Sequence, residues 1–88
     1  MKLEYAKPKS FSGRATVKDS KAIGAIVREL RKDSHLTQAK AAAMCNVGAR
    51  FLSDLENGKT TIQLGKALKV LQAFGLRVIL KKRTLSND

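Results

Sequence analysis

The chain has 88 residues and carries 18 Lys and Arg against seven Asp and Glu, which gives a formal net charge of +11. This length allows one small domain, so it excludes an enzyme built from two domains around a cleft. The chain has a single cysteine, which excludes a disulfide framework. With only one histidine in addition, it has too few ligands for a structural zinc site. The charge predicts a polyanionic partner, with nucleic acid favoured over an acidic protein or a membrane surface.

The start of the chain shows no targeting pattern. The first nine residues, MKLEYAKPK, are charged throughout, and no window approaches the roughly 20 apolar residues of a membrane-spanning helix. We therefore expect a cytoplasmic protein that has no membrane partner. Residues 1–18 hold Pro8, Gly13 and five basic residues without apolar periodicity, which predicts a basic, flexible arm. A nucleic-acid contact and a solvated tail both remain open for this arm.

Two helices are predicted in the first half of the chain. Either Asp19 or Ser20 can cap the first helix, which is expected to end near 33–34. Its apolar stripe, at helical spacing, consists of Ile23, Val27 and Leu30. Thr37 can cap a second helix, which is alanine-rich and only about two turns long. Asn46 tolerates a positive φ and is therefore predicted to make the sharp turn that follows.

Two further helices and one extended segment follow this turn. The third helix covers about 48–56 and ends at the Asn-Gly pair 57–58, which suits a left-handed conformation. The fourth begins between 61 and 64 and ends before Gly75. Its core stripe is predicted to consist of Leu64, Ala67, Leu68 and Leu71. Met44 and Cys45 are expected in the core as well, and His35 as an ordinary polar loop residue.

Branched residues dominate the segment 76–82, which is typical of a strand, and no second strand is predicted for it to pair with. An unpaired strand leaves backbone groups without partners, so we expect either pairing with a second copy of the chain or disorder. In the paired form Arg77, Ile79 and Lys81 share the outer face. The expected dimer interface consists of Leu76, Val78, Ile79 and Leu80. Residues 83–88 form a short tail.

No catalytic pattern is present in the sequence. Glu56 has no His, Ser or second carboxylate at catalytic spacing, and there is no glycine-rich phosphate loop or metal-ligand cluster. We therefore predict no enzymatic activity, no catalytic residue, no metal and no cofactor.

Two short helices joined by a tight turn on a basic chain have the arrangement of a helix-turn-helix, here within residues 19–75. The major groove of B-DNA admits one α-helix, and the second helix of the pair presents its N-terminal residues to the base edges. The sequence therefore predicts a protein that binds double-stranded DNA.

Particular residues resemble one family. Ile23-Gly24, Leu36-Thr37-Gln38, Val47, Leu55-Glu56-Asn57-Gly58-Lys59 and the segment 71–76 resemble the Xre/phage-repressor type of helix-turn-helix over residues 23–76. The segment 47–59, VGARFLSDLENGK, and the terminal strand are more similar still to HipB-type antitoxins. The resemblance implies a mainly α, lambda-repressor-like bundle of four helices, with one C-terminal β-strand that pairs across a dimer, in the bacterial cytosol at the nucleoid.

The resemblance also implies roles for single residues. Gln38 would bond a DNA phosphate and brace the recognition helix, and Lys59 would contact the DNA backbone. Arg50 would read guanine, because its guanidinium can bond O6 and N7 together. Arg31 and Glu56 would form an internal salt bridge. The candidate DNA contacts are Thr37, Gln38, Gly48, Ala49, Arg50, Phe51, Ser53, Asp54, Lys59 and Thr60.

The chain departs from the family pattern at four positions. Asn46 replaces the usual glycine of the turn, and Gly48 replaces the Ser or Thr that normally caps the recognition helix. Asp54 would repel phosphate unless it is paired, or it would accept from a cytosine amino group. Phe51 would touch a thymine methyl or pack at the edge of the core.

Two functions are therefore held open. The first is a sequence-specific repressor that binds palindromic operators as a homodimer, and that serves as antitoxin and autoregulator of a HipBA-like operon with a HipA-like kinase toxin. The second is a protein-interaction module that binds an acidic partner through its basic surface and strand, without a DNA role.

Overall fold

A computed structural model describes residues 13–83 of the chain. It contains four helices: α1 (Ser20–Asp33), α2 (Gln38–Cys45), α3 (Ala49–Glu56) and α4 (Leu64–Ala73). Residues 13–18 belong to none of them and are exposed. The rest of the predicted arm, residues 1–12, and most of the predicted tail, residues 84–88, lie outside the described part. No helix within 13–83 is long and apolar enough to cross a membrane.

Side chains cap the N-termini of three of the four helices. The capping bonds run from the Ala22 N–H to Asp19 Oδ1 (2.9 Å), from the Lys40 N–H to Thr37 Oγ1 (3.1 Å) and from the Lys66 N–H to Gln63 Oε1 (3.1 Å). Asp19 rather than Ser20 therefore caps α1. Gly48, before α3, supplies no such bond. Helix α3, the recognition helix of the predicted helix-turn-helix, therefore begins with N–H groups that no side chain caps. These groups can donate hydrogen bonds to a ligand.

All four helices end in the same way. Each is followed by a residue with positive φ: His35 (59°), Asn46 (58°), Gly58 (78°) and Gly75 (82°). The N–H of the next residue then bonds a carbonyl five residues back, in the pairs Leu36–Arg31, Val47–Ala42, Lys59–Asp54 and Leu76–Leu71, at 2.9–3.1 Å. This is the Schellman arrangement, and it satisfies the last carbonyls of each helix. The sequence predicts the turns at Asn46, Gly58 and Gly75. The prediction of an ordinary loop residue at position 35 misses the left-handed conformation of His35.

The core corrects two of the sequence predictions. In α4 the buried positions are Ala67, Val70 and Leu71, and Phe74, which follows the helix, is buried as well. Leu64 is 68% exposed, because it stands at the first residue of α4, beyond the reach of the other helices. Met44 is 40% exposed, because Ala41, Ala42 and Cys45 occupy the inner face of α2. Cys45 is buried as predicted, and burial raises the pKa of its thiol, which favours the unreactive protonated form.

Helix α1 packs against the end of α3 with almost no space between the two backbones. A Cβ atom on Gly24 would lie 2.2 Å from the Leu55 carbonyl oxygen, so only glycine fits there without a backbone shift. The Ser20 hydroxyl donates to the Gly58 carbonyl at 3.2 Å and fixes the first turn of α1 to the turn after α3. This close contact sets the position of the recognition helix in the bundle.

Residues 76–83 follow α4 without forming a hydrogen-bonded strand in the single chain. Leu76 packs partly against the core, whereas Val78, Ile79 and Leu80 are 56%, 66% and 93% exposed. A β-strand needs a neighbouring backbone to pair with, and residues 13–83 offer none. The predicted C-terminal strand is therefore not confirmed in the isolated chain.

Candidate nucleic-acid interface

The unit formed by α2, the turn and α3 positions the candidate DNA-contacting face. Asn46 adopts the left-handed conformation, with φ 58° and ψ 47°, and Val47 behind it packs against the core. In α3 the side chains of Leu52 and Leu55 are buried, while Ala49 and Arg50 are exposed. Ser53 is half-buried. The recognition helix therefore presents its first turn to solvent and anchors its other side in the core.

A buried hydrogen-bond network locks this helix from behind. Arg31 Nε donates to Glu56 Oε2 at 2.6 Å and Arg31 Nη2 donates to Glu56 Oε1 at 3.0 Å, so the salt bridge implied by the resemblance is present. Arg31 Nη1 also donates to the Leu36 carbonyl at 2.8 Å. The Glu56 side chain is only 2% exposed. A bidentate pair of this kind ties α1 rigidly to the end of α3.

Gln38 belongs to the same network. Its Nε2 donates to Glu56 Oε1 at 3.1 Å, which braces the start of α2 against the end of α3. This bond fixes the orientation of the amide, because the oxygen of Gln38 cannot replace the nitrogen as a donor to a carboxylate. The second N–H of the amide remains for another acceptor. The phosphate contact expected of Gln38 stays a prediction.

Asp54 and Lys59 form an ion pair across the turn that ends α3. Lys59 Nζ lies 3.6 Å from Asp54 Oδ2, and the two side chains are 52% and 31% exposed. Asp54 is thus paired, which is the condition under which we expect it to tolerate a nearby phosphate. A pair this exposed contributes only about 0–1 kcal/mol, so Lys59 can leave Asp54 for a phosphate.

Phe51 is half-buried and packs at the edge of the core. Lys66, in the first turn of α4, places its Nζ 5.8 Å from the centre of the Phe51 ring. Sequence reasoning did not select Lys66. The sequence offers only one signal for Lys66, which is a lysine near the predicted start of the fourth helix. The ring that it approaches belongs to the preceding helix and is distant in the chain.

The remaining candidate residues surround this face. Thr37 uses its Oγ1 as the acceptor of the α2 cap, which leaves its hydroxyl hydrogen available. Gly48 and Thr60 are exposed, and a Cβ at Gly48 would meet nothing within 4 Å. Within residues 13–83, no three His, Cys, Asp or Glu side chains lie close enough together to hold a metal ion.

Comparison with known proteins finds helix-turn-helix proteins. Residues 27–80 match the helix-turn-helix family HTH_3. An uncharacterized HTH-type transcriptional regulator of Sinorhizobium fredii, y4mF, is 47% identical over 62 residues, which are 70% of this chain and 82% of that protein.

Solved structures of HipB have a similar fold. In a complex of HipB with an O4 20mer, and in a complex of HipA, HipB and O2–O3, the matched chain aligns with a TM-score of 0.70 and 18% identity. Each alignment covers 81% of this chain and 100% of the other. The likeness at this identity is one of fold.

Proposed function

Because the chain belongs to the Xre-type helix-turn-helix family HTH_3, a family of DNA-binding transcription regulators and not of enzymes, we propose that it is a sequence-specific repressor. In this proposal it binds palindromic operators as a homodimer, and it is the antitoxin and autoregulator of a HipBA-like operon. The observation that carries the proposal is the α2–turn–α3 unit. Its outer face exposes Arg50, and its inner side is locked by the Glu56 network.

Base contacts fall to the exposed turn of α3. Arg50 is the reader, because its guanidinium forms no ion pair within residues 13–83 and can bond guanine bidentately. Ala49 and Ser53 stand on the same side and contact neighbouring base edges. Phosphate contacts fall to the second N–H of Gln38, to Lys59 and to the free N–H groups that follow Gly48.

A groove beside α4 supports the homodimer. It has a volume of about 360 Å³ and is lined by Leu68, Leu71, Gln72, Leu76, Arg77, Val78 and Ile79. The exposed apolar run of Val78, Ile79 and Leu80 continues from it. We assign the same segment of a second copy as its occupant, since two-fold pairing satisfies the backbone of both segments and covers both grooves.

A dimer also supplies what one domain lacks. One chain presents one recognition helix, whereas two chains place two such helices in successive major grooves, about 34 Å apart. Repression then follows from occupancy of the operator.

The antitoxin role rests on likeness of fold. The HipB chains that align with 81% of this chain occur in complexes with DNA, and one of these complexes also contains HipA. A HipA-like kinase is therefore the toxin partner that we propose. We expect a kinase-like protein to be encoded next to this gene; its expression alone should arrest growth, and co-expression of this chain should restore growth. The absence of such a neighbour, or a lack of rescue, would remove the antitoxin part of the proposal.

The DNA role is tested by selection. The full chain should enrich a palindrome from a pool of random duplexes, and the double variant Gln38→Ala, Arg50→Ala should lose that enrichment. Lys69→Ala is the matched control, because it removes an exposed charge from α4. If the double variant retained selection, the DNA face would lie elsewhere. If the chain bound an acidic protein and no duplex, the interaction module would be the function.

A further inference from the structure

We propose that Phe51 is a positioning residue, whose ring holds the ammonium group of Lys66 beside the recognition helix, and that Lys66 contacts a DNA phosphate there. This inference rests on the proposed DNA role. It assigns Lys66 to the interface and removes Phe51 from the base-reading residues.

Phe51 has the properties of a fixed platform. It lies in α3 next to Arg50, and successive residues of a helix are rotated by about 100°, so the ring stands at the flank of the helix. The side chain is half-buried and packs against the core, which restricts its rotamers. A ring held in this way presents its face to the neighbouring α4.

Lys66 is fixed at both ends. Its backbone N–H donates to Gln63 Oε1 at 3.1 Å, which holds the first turn of α4. Its Nζ lies 5.8 Å from the Phe51 ring centre, within the distance at which a cation is attracted to the face of an aromatic ring. The ring thus limits the freedom of a side chain that is otherwise long and flexible.

No acidic side chain within residues 13–83 forms an ion pair with Lys66. Lys66 takes part in neither of the ion pairs Arg31–Glu56 and Lys59–Asp54. The ring attracts the ammonium group without cancelling its charge, and Lys66 is exposed. The ammonium group of Lys66 can therefore bind a phosphate directly, whereas that of Lys59 must first separate from Asp54.

The first test measures salt dependence. Binding of the full chain to a short labelled duplex of randomised sequence is followed by fluorescence anisotropy over a series of salt concentrations. Lys66→Gln should reduce the slope of log K against log salt by about 0.9, the value for one phosphate contact. Lys69→Gln, on the same helix, is the matched control and should change the slope by less than half as much. Equal slopes for the two variants would overturn the inference.

The second test measures coupling. Phe51→Leu keeps an apolar side chain at the core edge and removes the ring, so it should weaken binding about two- to fivefold, the range expected for an exposed cation–ring contact. In the Lys66→Gln background it should cause no further loss. Phe51→Tyr keeps an aromatic face and should bind like the unmodified chain, which separates loss of the ring from loss of packing.

Three outcomes would overturn the role of Phe51. These are an equal loss from Phe51→Leu with and without Lys66, failure of Phe51→Tyr to bind, and a changed preference at one base pair in duplexes selected by Phe51→Leu. The last outcome would make Phe51 a thymine contact. If the unmodified chain bound no duplex, the proposed function itself would fail, whereas equal behaviour of the two lysine variants would remove only this inference.

Discussion

The block formed by α1, α2 and α3 and the segment 76–83 are opposite in how they satisfy their backbone and apolar groups. In the block, the carboxylate of Glu56 accepts three hydrogen bonds. Gly24 has no side chain, so the backbone of α3 can pack directly against it. In the segment, Val78, Ile79 and Leu80 are more than half exposed, and no backbone ladder forms within the described residues. The block satisfies its groups within a single chain, whereas the segment leaves apolar and backbone groups that the proposed dimer would cover.

In the proposed DNA-binding dimer, this difference corresponds to two separate tasks. The block must hold the reading face rigid, so its internal contacts are polar, directional and buried. The segment must associate, so its apolar groups remain exposed until a partner covers them. Substitutions in the block should therefore act first on folding or on reading, and substitutions in the segment should act first on association.

The largest effect is expected at Glu56. Glu56→Ala removes the acceptor of Arg31 and leaves a buried charge without a partner, which should lower the free energy of unfolding by about 3–5 kcal/mol. The control is Asp54→Ala, which breaks an exposed pair in the same helix and should cost at most about 1 kcal/mol. Urea denaturation followed by circular dichroism measures both. Comparable losses, or a stable Glu56→Ala protein that no longer binds DNA, would contradict this structural role.

The next effect is expected at Ile79. Ile79→Pro removes one N–H from each of two paired segments, and at about 1 kcal/mol per hydrogen bond the dimer should weaken roughly thirtyfold. Ile79→Val keeps the N–H and should remain dimeric. Sedimentation equilibrium distinguishes them, and operator binding by the proline variant should fall far more than half-site binding. A dimeric Ile79→Pro protein would place the interface elsewhere, with α4 the first candidate.

A smaller and more local effect is expected at Arg50. Arg50→Ala should cost about 1–3 kcal/mol at one operator base pair and relax the preference there, without changing unfolding or dimerisation. Lys59→Ala should instead weaken binding to all sequences about equally. Competition between single-base variants of the selected operator gives the measurement. A uniform loss in Arg50→Ala would make this residue a phosphate contact.

The smallest effect is expected for the arm. Deleting residues 1–18 leaves the Asp19 cap of α1 in place and removes five basic residues. If some of these meet phosphates, the slope of log K against log salt should flatten by about 0.9 for each contact, while the order of preferred operators stays the same. An unchanged slope would make the arm a solvated tail.

Much of this architecture could be predicted from the sequence. Helical spacing and capping residue types located all four helices to within about two residues, because caps and turns depend on local backbone chemistry. The pairing of Arg31 with Glu56 also came from the sequence, through a resemblance rather than from the residues alone.

The core of α4 could be predicted only in part. Ala67 and Leu71 are buried as predicted, whereas Leu64 is exposed and Val70 is buried. Both residues are apolar, so only the position of the other helices decides that Val70 is covered and that Leu64, the first residue of α4, is not.

The sequence by itself determined the charge, the helices, their turns and the helix-turn-helix pattern, because these depend on composition and on interactions between residues close in the chain. Only the tertiary structure decided that Glu56 is the residue through which Gln38 braces the recognition helix, that Asp54 pairs with Lys59 and that Lys66 lies over the ring of Phe51. These contacts join different helices or bridge turns. Their distances follow from how the helices pack, and a linear sequence does not contain that information in any local pattern.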